Sequence, residues 1–295
     1  MFHYGFSPLR YPGGKGLLGD FLTDVITINN LRGGIYYELY AGGAGAALRL
    51  LFNRTVKKIV INDADYRIYS FWYSILYDTK NFINLIDDCI LSIEEWKKYK
   101  SIYDNALNEK ITDVGFATFY LNRTNRSGIL HKAGPIGGMD QKGDYLIDAR
   151  FNKEDLKNRI RYIATKARSI ELHNCTTESF LKNLSICSNS KSFFYLDPPY
   201  YNKGRDLYLN NYTHNQHVYL SSVLKESKLN YWLVSYDNAE PIKKMYSDFR
   251  KANFNLNYSL QDKKQATELL IFSDNLRIPE ELLIRKNKLK LAITK

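Results

Sequence analysis

The sequence predicts an α/β fold with a mainly parallel sheet, an antiparallel hairpin at one edge and a helical insertion. Short strand-like runs, each bounded by turn-forming or charged residues, alternate with segments of helix length. The gap of about 130 residues between the second and third runs is too long for one crossover helix, so it indicates an insertion. A chain of 295 residues is long enough to bury the core of such a domain.

Four runs are the predicted parallel strands: Ile35 to Leu39, Lys58 to Ile61, Phe193 to Leu196 and Tyr231 to Val234. The third run has consecutive aromatic and apolar residues without polar alternation, which is typical of a strand buried on both faces. Near the end of the chain, "FNLNYSL" and "ATELLIFS" indicate the antiparallel pair, joined by a turn around Asp262 to Lys264.

The insertion carries apolar residues at helical spacing over Phe71 to Tyr103 and Lys153 to Ile163, with a Gly-rich loop or hairpin at residues 131 to 145. These patterns divide the chain into three parts. We predict a discontinuous core (1 to 65 and 170 to 275), a helical insertion (66 to 169) and a basic carboxyl-terminal tail (276 to 295).

The composition favours a polyanionic partner. The formal net charge is +11 and the sequence pI is near 9.3. Residues 97 to 168 hold 15 Lys or Arg against 8 Asp or Glu, a local net charge of +7, so the insertion carries much of the excess. Cys89, Cys175 and Cys187 lack paired spacing, and the histidines form no metal-binding pattern. From the histidine pattern we expect no metal. With no membrane-spanning or signal segment recognised, we expect a cytoplasmic protein.

The segment "SFFYLDPPYYNKG" (192 to 204) ends a buried strand in an acid, two prolines and two tyrosines. In open α/β sheets, ligands bind at the carboxyl ends of the strands, which is where Asp197 is expected to lie. The two prolines stiffen the turn and remove two backbone donors, so their carbonyls remain as acceptors.

A second segment, "IYYELYAGGAGAALRLLF" (35 to 52), reads as a strand, an acid, a Gly-rich turn and a helix. Such a turn lets a ligand approach the backbone closely, although the G-x-G-x-x-G dinucleotide pattern is absent. Asp63 ends the next strand, where it could accept ribose hydroxyls or cap the following helix. "LRYPGGKG" (9 to 16) could be a simple turn or part of the same site.

Together these motifs resemble the Dam-like, D12 class adenine-N6 DNA methyltransferases, which use S-adenosylmethionine. The aromatic-x-G-G-K motif of that family is matched by "YPGGK" at 11 to 15, its acidic Gly-rich motif by "ELYAGG" at 38 to 43, its second acidic motif by Asp63, and its D-P-P-Y motif by residues 197 to 200. The resemblance extends from about residue 7 to residue 273. It implies a Rossmann-like methyltransferase sheet in which the insertion is the target-recognition domain.

The resemblance also implies roles for individual residues. The catalytic residues would be Asp197, Pro198, Pro199 and Tyr200. The cofactor-binding residues would be Tyr11, Lys15, Glu38, Gly42, Gly43, Gly45, Asp63 and Asp197. Asp197 and the Pro198 carbonyl would accept the hydrogens of the adenine amine, and Tyr200 would stack on the flipped base.

Double-stranded DNA is the expected partner of the basic insertion. The candidate DNA-binding residues are Arg123, Asn125, Arg126, His131, Lys132 and Arg150. Family members that read GATC carry other residues where this chain has Arg126, Ser127 and His131, so the resemblance does not predict a GATC site. We expect a monomer in solution, and a cognate restriction endonuclease is a candidate partner.

The sequence therefore predicts a site-specific adenine-N6 DNA methyltransferase dependent on S-adenosylmethionine. Two alternatives stay open: an RNA or protein-amide N-methyltransferase built on the same core, and a DNA-binding module whose methyltransferase core is inactive.

Overall fold

The computed structural model consists of a twisted sheet with helices on both faces. It describes residues 5–10, 18–184, 191–202, 212–257, 265–279, 281–284, 287–290 and 292–294. The strands of the main sheet are β1 (Ile35–Glu38), β2 (Lys58–Asn62), β3 (Ile170–His173), β4 (Ser192–Leu196), β5 (Trp232–Asp237), β6 (Arg250–Asn257), β7 (Gln265–Phe272) and β10 (Ala292–Thr294). Two further strands, β8 (Glu281–Ile284) and β9 (Asn287–Lys290), form a separate antiparallel hairpin.

The order of the strands in the main sheet is β10-β6-β7-β5-β4-β1-β2-β3. The five strands from β5 to β3 are parallel, whereas β7 runs antiparallel to both β5 and β6. The predicted α/β fold with an antiparallel edge pair is therefore confirmed. The predicted turn around Asp262 to Lys264 lies outside the described residues. The segment predicted to be a basic tail contributes β8, β9 and β10.

The strand β4 shows how the sheet divides the core. All five of its residues are buried. Phe193 and Tyr195 pack into a cluster on one face, while Phe194 and Leu196 pack into a second cluster on the other face. This is the arrangement expected for a parallel strand covered on both sides, because successive side chains point to opposite faces.

The helices are α1 (Gly19–Ile28), α2 (Gly45–Phe52), α3 (Tyr66–Tyr77), α4 (Thr79–Asp88), α5 (Ile93–Asp104), α6 (Ile111–Thr124), α7 (Lys153–Ala164), α8 (Thr177–Asn183), α9 (His214–Glu226) and α10 (Glu240–Met245). Five of them, α3 to α7, lie between β2 and β3. Buried residues of α8, α9 and α10 cover the face of the sheet that carries Phe194.

The helical insertion shares its core with the sheet. Phe71 and Trp72 of α3 and Phe119 of α6 belong to the same buried cluster as Tyr36 of β1 and Phe193 of β4. Three of the five helices in the insertion begin after residues whose side chains accept a main-chain N–H: Asp65 before α3, Ser92 before α5 and Asn152 before α7. The insertion and one face of the sheet thus share a single hydrophobic core.

In the described part of the chain, no helix is long and apolar enough to span a bilayer.

Candidate active site

Asp197 is the first residue beyond β4, at the carboxyl edge of the parallel strands. Its Oδ1 accepts a hydrogen bond of 2.7 Å from the Ser235 hydroxyl, and that hydroxyl lies 2.8 Å from the Tyr195 hydroxyl. Asp197 is half-buried, whereas Pro198 and Pro199 are buried. The acid of the D-P-P-Y motif is therefore oriented by a side chain of the neighbouring strand β5.

The residues that follow Asp197 are held by two further acids. The Tyr200 hydroxyl donates to Oε1 of Glu268 at 2.6 Å. The main-chain N–H groups of Tyr201 and Asn202 donate to the two carboxylate oxygens of Asp237, at 2.7 and 2.9 Å. Sequence analysis did not identify Ser235, Asp237 or Glu268 as parts of the site.

Glu38 ends β1, and its side chain points into the turn before α2. Its Oε2 accepts a 2.9 Å hydrogen bond from the Ala47 N–H in the first turn of that helix. The carboxyl is 5 % exposed, and burial raises its pKa to about 8. The negative charge of Asp197 raises that pKa further, while the hydrogen bond from Ala47 opposes the increase. A nearby cation would therefore stabilise the charged form of this buried acid.

The Gly-rich turn is tightly fixed by its neighbours. Gly42 and Ala44 have left-handed backbones, with φ of 44° and 45°, and glycine reaches this region without steric cost. The indole N–H of Trp72, on α3, donates to the Gly42 carbonyl at 2.9 Å. The insertion therefore helps to shape the turn that is predicted to approach the cofactor.

Asp63 lies directly after β2 and faces the same turn. Its carboxylate accepts hydrogen bonds from the N–H groups of Gly42, at 2.8 Å, and Asp65, at 2.9 Å. Burial raises its pKa to about 7, and the charge of Asp65 adds to the increase. The side chain that caps α3 belongs to Asp65, which accepts from the Arg67 N–H. The capping alternative for Asp63 is thus excluded. A cavity of about 320 Å³ lies between residues 64 to 67 and residues 104 to 108, and Asp63 is not part of its lining.

Asn62 joins three strand ends and was not recognised from the sequence. Its side-chain amide donates to the carbonyls of Leu39 and Cys175, and its Oδ1 accepts from the Cys175 N–H. The residue is completely buried. It ties the carboxyl ends of β1, β2 and β3 together, which fixes Glu38 and Asp63 relative to one another.

Two of the predicted cofactor residues, Tyr11 and Lys15, lie outside the described residues. The chain leading to them is anchored at Arg10. The buried side chain of Asn122 accepts from the Arg10 N–H at 2.6 Å and donates to the Arg10 carbonyl at 2.7 Å. The amino-terminal motif therefore begins where the chain is bound to the last turns of α6.

Arg123 and Asn125, two of the predicted DNA-binding residues, make contacts within the protein. The Arg123 guanidinium donates to the carbonyls of Arg150 and Pro8, and burial lowers its pKa to about 9, with the charge of Arg10 adding to the decrease. Asn125 is completely buried. Its Oδ1 accepts from the Trp96 indole and its amide donates to the Ile129 carbonyl.

The other four predicted DNA-binding residues lie nearer the surface. Arg126, Lys132 and Arg150 are exposed, while His131 is half-buried. Burial lowers the pKa of His131, and the nearby charges of Lys132 and Lys100 lower it further. Arg126, His131 and Lys132 lie in the segment 125 to 135, which is closed by an antiparallel bridge between Asn125 and Pro135.

Comparisons with solved structures give similarities of low sequence identity. A proposed RNA methyltransferase from Pyrococcus horikoshii matches with 9 % identity and a TM-score of 0.39, covering 90 % of this chain and 85 % of that one. Two structures of the rRNA methyltransferase aviRa from Streptomyces viridochromogenes match with 9 and 11 % identity and TM-scores of 0.32 and 0.35. They cover 86 and 90 % of this chain, and 84 and 88 % of their own.

No curated protein sequence matches the chain. A family model, described as D12 class N6 adenine-specific DNA methyltransferase, matches residues 11–260. That range includes the Gly-rich turn, Asp63, the D-P-P-Y motif and the whole helical insertion. The chain therefore belongs to the D12 class N6 adenine-specific DNA methyltransferase family, as its motifs indicated.

Proposed function

We propose that this S-adenosylmethionine-dependent methyltransferase modifies N6 of an adenine within a short site of duplex DNA. The observation that carries the proposal is the position of Asp197. Its carboxylate lies at the carboxyl edge of the sheet, next to a proline carbonyl and close enough to Glu38 to raise the pKa of that buried acid. A group suited to hold an amine and a group suited to hold a cation thus share one edge.

The residues of that edge fit S-adenosylmethionine. We propose that Glu38 binds the methionine ammonium, because a buried carboxyl with a raised pKa is stabilised in its charged form by a cation. Asp63, whose carboxylate faces the Gly-rich turn through the Gly42 N–H, would accept the ribose hydroxyls. Further cofactor contacts are proposed for Tyr11, Lys15, Gly42, Gly43, Gly45 and Asp197.

The bound cofactor supplies an electrophilic methyl group on its sulfonium sulfur. The adenine amine is a weak nucleophile, because its lone pair is delocalised into the ring. Asp197 and the Pro198 carbonyl would accept the two amine hydrogens and so direct the lone pair out of the ring plane. A hydrogen bond to a charged acceptor contributes about 1.5 to 3 kcal/mol, and one that strengthens in the transition state lowers the barrier.

An adenine inside a duplex would have to leave the base stack to reach Asp197, at a cost of a few kcal/mol. Stacking on an aromatic ring returns about 1 to 3 kcal/mol, and this is the role proposed for Tyr200. Pro199 would keep the turn between Asp197 and Tyr200 stiff, since its ring fixes φ.

The basic insertion supports DNA as the methyl acceptor. Arg126, Lys132 and Arg150 are exposed and are proposed to contact phosphates or base edges, together with His131. Arg123 and Asn125 also remain proposed DNA-binding residues, but their internal contacts make them better suited to support the neighbouring segment than to reach a base.

We further propose that the enzyme acts as a monomer in the cytoplasm, where its DNA would be found. A cognate restriction endonuclease is a proposed partner, and it would have to cleave the same short motif that this enzyme modifies.

An acceptor competition tests the proposal. Purified protein with methyl-labelled S-adenosylmethionine is given equal masses of unmethylated duplex DNA, RNA and cell protein, and label is counted in each. We expect label in DNA as N6-methyladenine. Label confined to RNA or protein would contradict the DNA assignment. Asp248→Asn changes an exposed acid paired with Lys225, so this control variant should label the same acceptor as wild type.

A further inference from the structure

Two acids lie directly opposite each other on the neighbouring strands β5 and β7. Asp237 and Glu268 are paired residues of this antiparallel ladder, so their side chains share one face of the sheet. Like charges in such a position destabilise a sheet. Glu268 is nevertheless only 1 % exposed. Two acids in such positions need specific hydrogen-bond partners.

Both carboxylates bind the same short segment, residues 197 to 202, which we call the motif loop. Asp237 accepts the N–H groups of Tyr201 and Asn202, one on each oxygen. Glu268 accepts the hydroxyl of Tyr200 at 2.6 Å. The loop is therefore held at its main chain by one acid and at an aromatic side chain by the other.

A third contact comes from the same face of β5. Ser235 precedes Asp237 by two residues, and strand residues two apart point to the same side. The Ser235 hydroxyl donates to Asp197 at the start of the motif loop. The loop is thus bound at its first residue, at the ring of its fourth and at the backbone of its last two.

We propose that Asp237 and Glu268 are positioning residues for methyl transfer. Neither would touch the adenine or the cofactor. Asp237 fixes the backbone course after the prolines, and Glu268 fixes the tilt of the Tyr200 ring, so that Asp197, the Pro198 carbonyl and the ring meet the same base. The proposal rests on the proposed function for the meaning of the loop, while the contacts themselves are independent of the acceptor.

The kinetic test separates positioning from structural support. Glu268→Met removes the acceptor but keeps a side chain of similar length, and Glu268→Gln keeps an acceptor oxygen. In single-turnover methyl transfer with saturating cofactor, we expect Glu268→Met to slow the reaction about 10- to 100-fold, since small displacements of reacting groups have effects of this size. Glu268→Gln should restore most of the rate. A slower rate for Glu268→Met at a temperature where circular dichroism shows it folded, with recovery in Glu268→Gln, separates positioning from a loss of structure.

Tyr200→Phe completes a double-mutant cycle. It removes only the hydroxyl and keeps the ring for stacking. If Glu268 acts through that hydroxyl, the double variant Tyr200→Phe/Glu268→Met should be no slower than the slower single variant. Additive losses would overturn the assignment of Glu268. Glu240→Gln is the control, because Glu240 is an exposed acid on α10 paired with Lys243.

Hydrogen exchange tests the role of Asp237 without any methyl acceptor. We expect Asp237→Asn to speed exchange of at least one of the Tyr201 and Asn202 amides about tenfold, because one of the two acceptor oxygens is lost. Methyl transfer should slow in the same variant while the dissociation constant for S-adenosylmethionine is unchanged. Unaltered exchange at both amides would overturn the positioning role of Asp237.

The outcomes distinguish this proposal from the proposed function. If wild-type protein modifies RNA instead of DNA, the proposed function fails, and the variants are compared on RNA. If wild-type protein modifies DNA and Asp237→Asn and Glu268→Met both react at the wild-type rate, the positioning roles fail while the function stands.

Discussion

The carboxyl edge of the sheet and the helical insertion use their polar residues in different ways. At the edge, Glu38 and Asp63 keep raised pKa values of about 8 and about 7, because burial leaves their charged forms poorly compensated. In the insertion, Arg123 and Asn125 bind carbonyls and an indole of their own chain. Residues that are predicted from motifs to bind a ligand can thus either be available for that ligand or support the protein itself. Their burial and their hydrogen-bond partners separate the two cases.

The largest effect is expected at the edge, from Asp197→Asn. Removing the charge weakens the acceptor for the adenine amine, and preorganised groups of this kind are worth about a hundred- to a thousandfold in rate. Single-turnover transfer to unmethylated DNA measures the loss, and Asp248→Asn should match wild type. A rate within about threefold of wild type would remove Asp197 from the reaction.

The insertion should respond differently, through stability. Asn125→Ala deletes the acceptor of the Trp96 indole and the donor to the Ile129 carbonyl inside a buried site. Leaving one buried group unsatisfied costs about 1 to 3 kcal/mol, so we expect the free energy of unfolding in urea to fall by at least that amount. The exposed Asn158 offers Asn158→Ala as a control. Unchanged stability with weaker DNA binding would instead place Asn125 at the DNA surface.

A pH series sharpens the account of the edge. Glu38 has a pKa raised from 4.5 to about 8 on folding, so its contribution to stability is complete below pH 4.5 and is lost as the pH rises toward 8. The melting temperature of wild type should therefore fall more steeply over this window than that of Glu38→Gln. The pKa of Asp63 is also raised on folding, so a smaller fall of melting temperature with pH should remain in Glu38→Gln. Parallel curves would contradict the raised pKa.

The smallest effect is expected from the exposed residues of the insertion. Arg126→Ala should leave the free energy of unfolding within about 0.5 kcal/mol of wild type, since it changes a surface side chain. If Arg126 contacts a phosphate, DNA affinity should fall and the slope of log affinity against log salt should decrease by about 1. Arg32→Ala, at an exposed position before β1, is the control. An unchanged salt slope would exclude the phosphate contact.

The sheet could be predicted where the residue pattern fits only a buried strand. The consecutive buried residues of β4 have no helical or alternating pattern, and they locate Asp197 at a strand end. The strand β3 was missed, because its four residues at the sheet boundary are mostly half-exposed and carry charges. The helix α6 was not delimited, since most of its surface is buried and its apolar residues do not form one stripe.

The sequence predicted the motif residues of the site but not the residues that hold them in place. The sequence indicated Glu38 and Asp63, but spacing alone could not show that Asp65, two residues later, caps the helix. Asp237 and Glu268 were missed because their role depends on a cross-strand pairing. The available signal was an acid within the apolar run "ATELLIFS", because a buried strand rarely holds a carboxylate without a partner.

The central claim is site-specific adenine methylation by Asp197, and long-read sequencing with modified-base detection tests it most directly. DNA is taken from methylation-free cells that express the wild type or Asp197→Ala at equal levels. The account predicts N6-methyladenine confined to one short motif, and only with the wild type. Unmodified adenine throughout, from cells whose soluble wild-type protein binds S-adenosylmethionine, would contradict it.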